Sequence, residues 1–490
     1  MRGSRVIQIV ALVSICSISM LYILAGETKE IGRSSEMFHR STRHPASGPL
    51  RVHPDNPRYF TDGSGRAIYL TGSHTWAALH ERRLEETPVF DYPAWLDFME
   101  RHNHNFLRLW AWEHAAWMQF TERRILYYPN RYMRTGPGEA LDGGLKFDLT
   151  KFNEGFFQRL RSRVVAAGER GIYVGVMFFQ GFSLDKTGGK KGVGNAFNGH
   201  PMNVKNNING INGDPDGRGT GSQVHTLDVP EITALQEEFV RKVIDTLNDL
   251  DNVLWEISNE SHSRSVEWHY HLINVIHEYE KTKPKQHPVG MTGAAIKNKP
   301  MFESPAEWIS PVGKKIYKDD PIVADGSKVV IVDSDHIHPW GTDPKWPWRC
   351  FLRGHNFITM DPYMDARFDS PSVPVPEWDD IRRQMGYTLR WANRVDLAAM
   401  TPQNQQASTE YCLANPGREY LVYLPDGGSV SIDLSSVSGE LSASWFNPST
   451  GEDIDADKVA GGGKSNFTAP FDGHAVLSLR RDSQSTNIFR

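Results

Sequence analysis

Residues 252–262 of the chain combine an apolar run with acidic side chains whose order suggests catalysis. The run Val253–Ile257 contains Glu256 and leads directly to Asn259 and Glu260. Parallel (β/α)8 barrels carry their catalytic groups at the C-terminal ends of their strands. A protonated carboxyl group at such a position can donate its proton to a glycosidic oxygen. We therefore predict that Glu260 is a general acid and that Asn259 beside it contacts the substrate.

The chemistry needs a second carboxylate, which the segment 328–341 offers twice. Asp333 and Asp335 are two residues apart, so in an extended chain both would point to the same face. Asp335 lies closer to the end of the run and precedes His336, so we predict it as nucleophile or base. Asp333 remains the alternative. Hydrolysis with retention or with inversion also stays open, because the outcome depends on the separation of the carboxylates.

Glu256 is predicted to be structural. It shares the strand face of Glu260 but lies deeper, and a buried carboxylate needs a cationic or hydrogen-bonding partner. Arg108, in the apolar run 105–112, is the expected partner. The alternative is that Arg108 orients the nucleophile.

Polar and aromatic side chains at the ends of other strands, and in the long loop 181–222, are expected to complete a carbohydrate site. Aromatic faces can stack on sugar rings, while imidazole and amide groups can bond hydroxyls. For each tryptophan the alternative is packing in the core, and for the loop histidine it is an ordinary structural role. The predicted substrate-binding residues are His74, Trp76, Arg108, Trp110, Trp112, Glu113, Gln180, His200, Asn207, Asn259, His336 and Trp340.

Eight strand-like runs alternate with amphipathic helical patterns between residues 50 and 405. This alternation predicts a TIM (β/α)8 barrel, an α/β fold. No GxGxxG follows the first strand, which weakens a dinucleotide-binding sheet as the alternative. The predicted strands are 69–76, 105–113, 172–179, 253–258, 287–293, 307–311, 328–335 and 357–363, and the clearest predicted helices are 152–171, 232–249, 266–283 and 378–397.

The remaining segments have different patterns. Residues 406–482 are short strand-like runs separated by turn residues, which predicts an antiparallel β-sandwich, and 483–490 form a tail. Residues 1–26 have a basic start and an apolar core, which is typical of a signal peptide or a membrane anchor, and 27–49 are a linker. We therefore expect an exported protein, extracellular or periplasmic.

Composition narrows the function classes further. The formal net charge is −5 with both signs well mixed, which argues against a nucleic-acid-binding protein. His336 and His338 could bind a metal, but no HExxH helix accompanies them, so we predict no metal and no cofactor. Cys350 and Cys412 are expected to be buried free thiols. Oligomeric state is left open.

Several longer motifs resemble one family. YFTDGSGRAIYLTGSHTW, NFLRLWAWE, HPMNVKNNINGIN, NVLWEISNESH, VVIVDSDHIHPWG and FLRGHNFITMDPY are similar to the apiosidase-like catalytic domain of DUF4038 type, the barrel that includes glycoside hydrolase family 140. Residues 407–481 resemble the module called "putative collagen-binding domain". The first resemblance covers residues 50–400 and implies a retaining-type barrel with Glu260 as acid/base.

The resemblance also implies membership of the large glycosidase clan that uses two Glu residues. At the seventh strand this chain has Asp-Ser-Asp-His where that clan has Glu, so the resemblance does not identify the nucleophile. Together, residues and resemblance predict an exported, apiosidase-like glycoside hydrolase that acts on a complex poly- or oligosaccharide. The alternative is a barrel that binds carbohydrate or matrix without catalysis.

Overall fold

A computed structural model describes residues 44–83, 89–117, 124–184, 195–313, 320–337, 343–363 and 376–481. The predicted signal or anchor segment, most of the linker, the C-terminal tail and Trp340 lie outside these ranges. Among the described residues, no helix has the length and apolar character needed to span a bilayer.

Eight parallel strands form the barrel. Each predicted strand is present, and neighbours in sequence are neighbours in the sheet, as a (β/α)8 topology requires. The two end strands approach each other through a parallel bridge between Thr75 and Leu109 and a 2.9 Å bond from the Asn105 amide to the Thr71 carbonyl. The strands are β1 (Thr71–His74), β2 (Phe106–Leu109), β3 (Tyr173–Gln180), β4 (Val253–Asn259), β5 (Val289–Thr292), β6 (Trp308–Ser310), β7 (Val329–Asp333) and β8 (Asn356–Met360).

Helices lie between the strands, and local sequence sets where they begin. Asp91 and Asn153 cap the first two, each accepting a backbone N–H of the first turn through its side chain. Buried apolar residues recur at helical spacing along the longer helices and face the sheet. The helices are α1 (Tyr92–Arg101), α2 (Glu154–Gly168), α3 (Pro230–Leu247), α4 (Val266–Glu280), α5 (Asn298–Glu303), α6 (Ser334–Ile337), α7 (Trp346–Leu352) and α8 (Asp379–Ala392).

The lower end of the barrel is apolar and closed. Leu254, Phe106 and Ile331 belong to one buried cluster there, which also includes Leu50 and Phe60 from the segment before β1. That segment enters at the N-terminal ends of the strands. The Ala46 amide donates to the Gly168 carbonyl (2.9 Å) at the end of α2, and the Tyr173 hydroxyl at the start of β3 donates to the Ser47 carbonyl (2.7 Å).

A hairpin that the sequence analysis did not predict lies between β2 and α2. Its strands, Tyr132–Glu139 and Leu145–Phe152, pair antiparallel with two register shifts. The loop after β3 packs against it through a bridge between Phe147 and Asn207. The described part of the long loop is therefore attached to the hairpin.

The C-terminal region is the predicted antiparallel β-sandwich. Its strands are β9 (Thr401–Pro402), β10 (Cys412–Asn415), β11 (Glu419–Leu424), β12 (Ser429–Asp433), β13 (Glu440–Asn447), β14 (Glu452–Ala460), β15 (Lys464–Thr468) and β16 (Ala475–Arg480). A six-stranded sheet in the order β9-β10-β11-β16-β13-β14 accompanies a two-stranded sheet, β12-β15. Alternating buried residues from both sheets form one apolar cluster.

Aromatic packing joins the sandwich to the barrel. Phe446 of β13 lies among Trp348 of α7 and Tyr387 and Trp391 of α8, with ring centroids 5.8, 5.1 and 5.8 Å away. The Gln384 side chain of α8 also donates to the Pro448 carbonyl at 2.7 Å. The two regions therefore share a buried apolar interface.

Both described cysteines are free and buried, as predicted. Cys350 belongs to α7 and Cys412 to β10. Burial raises the pKa of the Cys412 thiol to about 12 and that of Cys350 further still. The raised pKa values favour the protonated thiols, so we expect both cysteines to react slowly in the folded protein.

Candidate active site

Arg108 on β2 connects two strands inside the upper barrel. Its Nε donates to Glu256 Oε2 (2.9 Å) and its Nη2 to Glu256 Oε1, so the pair is bidentate. Nη1 donates to Asp333 Oδ2 (2.6 Å), and Nη2 also donates to Asn259 Oδ1 (2.8 Å). Burial opposes the positive charge, but Glu256 and Asp333 raise the pKa of Arg108 above its usual value. The expected Arg108–Glu256 pair is confirmed, and both side chains are too deeply buried to contact a substrate.

Asp333, at the end of β7, is also fully buried and has a second partner. His74 Nε2 of β1 lies 3.1 Å from its Oδ1 and 2.9 Å from its Oδ2. The indole N–H of Trp110 donates to the other ring nitrogen of His74 at 2.8 Å. Burial alone would raise the pKa of Asp333, yet His74 and Arg108 hold it far below its usual range. Asp333 is thus a buried carboxylate anion surrounded by hydrogen-bond donors.

Asp335 does not share a strand face with Asp333, and that expectation is wrong. The strand ends at Asp333 and α6 begins at Ser334, because the Asp333 carboxylate accepts the Asp335 amide at 2.9 Å. An Asp side chain that bonds the backbone two residues further along turns the chain. Asp333 consequently points into the barrel interior, whereas Asp335 lines an open cleft.

That cleft, of about 680 Å³, lies at the C-terminal ends of the strands and contains both main candidates. One side-chain atom from each of Glu260, Asp335 and His336 lies within 4.8 Å of the other two. For the two acidic residues these atoms are carboxylate oxygens. The fold therefore brings the two predicted carboxylates into one solvent-accessible space.

The backbone at Glu260 adopts an uncommon conformation. Its φ of 51° lies in the left-handed region, which few residues other than glycine occupy. The turn passes so close to the end of β3 that a Cβ on Gly181 would lie 2.4 Å from the Ser261 Cα. Such strained residues cluster at functional sites, where the surrounding structure holds them in place.

His336 is anchored from both ring nitrogens. Nε2 lies 3.0 Å from Asn259 Oδ1 and Nδ1 lies 3.0 Å from the Ser310 hydroxyl. Asn259 Oδ1 already accepts from Arg108, so it acts as an acceptor and His336 Nε2 donates to it. A metal ion bound by Glu260, Asp335 and His336 would have to displace one of these bonds. The observed imidazole orientation therefore suits hydrogen bonding better than metal ligation.

Solved glycoside hydrolases have the same architecture. A structure described as "Glycoside hydrolase" matches with a TM-score of 0.58 and 14% sequence identity, over 90% of this chain and 99% of that one. A glycoside hydrolase family 5 structure from Bacteroides vulgatus ATCC 8482 matches with a TM-score of 0.56 and 12% identity, over 89% and 94%. The chain has the fold of these barrels.

Two family models match parts of the chain. Residues 90–298 match a domain of unknown function, DUF6298, and residues 398–477 match the "Putative collagen-binding domain of a collagenase". The second match confirms the C-terminal resemblance, whereas the barrel match carries a different family name from the DUF4038 type expected from the motifs. No curated protein matches the chain.

The predicted tryptophan platforms are not at the surface of this barrel. Trp76, Trp110 and Trp112 are only 5%, 1% and 1% exposed, and their rings pack on one another at centroid distances of 5.5–5.7 Å. Trp112 donates its indole N–H to the Trp76 carbonyl. Sugar stacking was therefore the wrong interpretation, because aromatic packing covers these faces.

Glu113 and His200 form a separate buried cluster instead of facing the cleft. Glu113 accepts the Gln180 amide (2.8 Å) and has His225 Nε2 at 2.9 Å, Arg131 at 3.2 Å and His200 Nε2 at 3.5 Å. Burial would raise the pKa of Glu113, but Arg131 and His225 hold it well below the usual value. This cluster fixes the ends of β2 and β3 and the following loop.

Gln180 and Asn207 are also structural. The Gln180 side-chain oxygen accepts the Phe182 amide at 2.9 Å and lies 3.3 Å from Asn259 Nδ2. Asn207 donates to the backbone carbonyls of its own loop and accepts the Ile211 amide. The Gln180 side-chain oxygen and the Asn207 amide group bond within the fold, Asn259 is buried, and none of the three lines the cleft.

Five residues that line the cleft were missed in the sequence, and two of them are polar. Lys297 ends the loop after β5 and Asn298 begins α5; the other three are Ala294, Val312 and Gly313. Asn298 Oδ1 accepts the Val312 amide at 2.9 Å and so ties this loop to the loop after β6. The position of Lys297 and Asn298 in the sequence, shortly after the fifth strand, could have predicted them, because the segments that follow barrel strands line the mouth of the barrel.

Proposed function

We propose that this protein is a glycoside hydrolase in which Glu260 is the acid/base and Asp335 the nucleophile. The observation that supports this most is the pair of carboxylates within 4.8 Å in one open cleft. Retaining glycosidases hold their carboxyl groups about 5–5.5 Å apart and inverting ones about 6.5–9.5 Å apart. The separation therefore favours retention.

In the first step, an Asp335 carboxylate oxygen attacks the anomeric carbon while Glu260 transfers its proton to the departing glycosidic oxygen. The C–O bond to the leaving group breaks as the ester bond to Asp335 forms. In the second step, Glu260 removes a proton from water, the water oxygen displaces Asp335, and both side chains return to their starting states. The negative charge of Asp335 also stabilises the positive charge that develops on the sugar ring.

Sequence features suggest the finer assignment. The motifs similar to the apiosidase-like domain favour a complex poly- or oligosaccharide, with apiose-bearing glycans as the first substrate class to test. The apolar segment near the N-terminus favours export, which would place the enzyme where such polymers occur. A barrel that binds carbohydrate or matrix without cleaving it is the competing function.

The test compares wild type, Glu260→Gln and Asp335→Asn on aryl glycosides and a polysaccharide panel, with release of reducing sugar as the measurement. Exposed Glu267 on α4 and Asp457 on β14 provide matched controls as Glu267→Gln and Asp457→Asn. We expect both controls to match wild type and both site variants to lose about 10²–10⁴-fold in kcat. Undiminished activity of Glu260→Gln would overturn its role, and binding without any sugar release would favour the non-catalytic function.

The stereochemical course is a second test. Proton NMR of the first-formed sugar should show the anomeric configuration of the substrate, because two displacements restore it. Inversion would exclude Asp335 as a covalent nucleophile. Activity should also survive a metal chelator, since both nitrogens of His336 are hydrogen-bonded.

A further inference from the structure

We propose that Asp333 is a positioning residue that holds Asp335 in the cleft, and that His74 and Trp110 fix Asp333 in turn. The inference rests on the proposed hydrolase function and assigns different roles to the two acids of the Asp-Ser-Asp sequence. Sequence alone left either of them as the nucleophile.

Both carboxylate oxygens of Asp333 are already used. Oδ1 accepts the Asp335 amide (2.9 Å) and Oδ2 accepts Arg108 Nη1 (2.6 Å), while His74 Nε2 lies 3.1 and 2.9 Å from the two oxygens. The side chain is fully buried. To attack a sugar, Asp333 would have to break these bonds and leave the barrel interior. Asp335 needs no such movement, because its side chain already lines the cleft.

The orientation of His74 follows from the chemistry of its neighbour. An indole N–H can only donate, so the His74 nitrogen that receives Trp110 must be an acceptor. The proton of the neutral imidazole therefore resides on Nε2, which donates to Asp333. A directed chain of hydrogen bonds runs from Trp110, directly after β2, through His74 on β1 to Asp333 on β7.

The hydrogen-bond chain ends at the backbone amide of Asp335, the proposed nucleophile. The bond from the Asp335 amide to Asp333 fixes the turn from β7 into α6, and this turn sets how far Asp335 stands from Glu260. Displacing a reacting group by about 1 Å can lower the rate about 100-fold. Because the hydrogen-bond chain from Trp110 to Asp333 makes no substrate contact, its loss should lower kcat and leave KM nearly unchanged.

The first experiment separates nucleophile from positioning residue by chemical rescue. Azide can occupy the space of a deleted carboxylate and attack the anomeric carbon, which expels the protonated leaving group and gives a glycosyl azide. We expect azide to restore activity in Asp335→Ala and not in Asp333→Ala. Rescue of Asp333→Ala alone would overturn the inference, while the two-carboxylate function would stand.

A series of substitutions along the hydrogen-bond chain tests the chain itself. Asp333→Asn offers one acceptor oxygen where three donors converge, so kcat should fall about 100-fold with KM nearly unchanged. His74→Gln can still donate to Asp333 and should keep more kcat than His74→Leu. Trp110→Phe removes the indole N–H together with part of the packed ring, leaves the bond between His74 and Asp333 in place, and should give a smaller loss of kcat. Equal activity of the two His74 variants would contradict the directed chain.

Hydrogen exchange provides a readout that does not need an active enzyme. Peptides covering residues 331–337 should take up deuterium several-fold faster in Asp333→Asn than in wild type, while Asp335→Asn should not change them. If Asp333→Asn does not fold, Trp110→Phe takes its place with the same expectation. Unchanged exchange in the folded variant would overturn the inference, whereas absence of wild-type activity on every glycan would overturn only the proposed function.

Discussion

Replacing Arg108 by methionine should destabilise the protein by about 3–5 kcal/mol near neutral pH, the range measured when one partner of a buried ion pair is removed. Arg108 donates to both oxygens of Glu256, to Asp333 and to Asn259, and all of these groups are buried. Its loss leaves two buried carboxylates without their cation. Asp333 keeps His74 and Glu256 keeps the Thr292 hydroxyl at 3.3 Å, so the lower end of the range is expected.

The loss should depend on pH in a defined direction. In wild type the pKa of Asp333 lies below its unfolded value, so this group adds stability above about pH 4 and loses it only as the pH falls through the folded pKa. Without Arg108, burial, which is the largest influence on this carboxyl group, should move the pKa of Asp333 above its unfolded value. The variant then loses stability as the pH rises from the unfolded pKa to this raised pKa. The difference in unfolding free energy between the variant and wild type should therefore shrink toward pH 5.

Urea unfolding followed by tryptophan fluorescence, near pH 7.5 and near pH 5, measures both effects. Arg161→Met is the matched control, because Arg161 pairs with Asp249 on the surface, where such pairs contribute about 0–1 kcal/mol. The double variant Arg108→Met/Glu256→Gln should recover part of the loss by removing one buried charge. A loss no larger than that of Arg161→Met, or one independent of pH, would refute the reasoning.

Three further predictions follow from packing and burial. Phe446→Ala should cost about 3–5 kcal/mol, because it opens a cavity among Trp348, Tyr387 and Trp391; a melting temperature equal to that of an exposed Val323→Ala control would contradict a buried interface. Gly181→Ala should lower kcat, because its Cβ would collide with the Ser261 backbone and displace Glu260. Kinetics matching a Gly463→Ala control, at a glycine with open space around it, would show that the contact is not critical. Cys350 and Cys412 should not react with a thiol reagent until urea unfolds the protein, and rapid labelling of either at neutral pH would show that the site opens locally.

Sequence patterns were sufficient for the strands and for Glu260. Each barrel strand is an apolar run bounded by turn residues, and such runs have few alternatives when helices alternate with them. Glu260 follows one of these runs directly, so locating β4 also placed Glu260 at the mouth of the barrel, where it lines the cleft. The same reasoning found Arg108 as the partner of Glu256, since a carboxylate within a barrel strand needs a cation.

The wrong predictions for individual site residues share one physical cause. The turn at Asp333 depends on a side chain that bonds a nearby backbone amide, and strand periodicity contains no information about that bond. Trp110 at a strand end suits sugar stacking and core packing equally well until its neighbours are known. Asn207 offered an amide that its own loop uses. In each case a competing partner within the fold decided the role.

The entry of the chain beneath the barrel has a geometric consequence. Ala46 and Ser47 contact the ends of α2 and β3 that lie opposite the cleft. The first described residues of the chain therefore lie at the end of the barrel opposite Glu260 and Asp335. A bulky ligand that approaches the cleft therefore does not meet Ala46 or Ser47 on its way to Glu260.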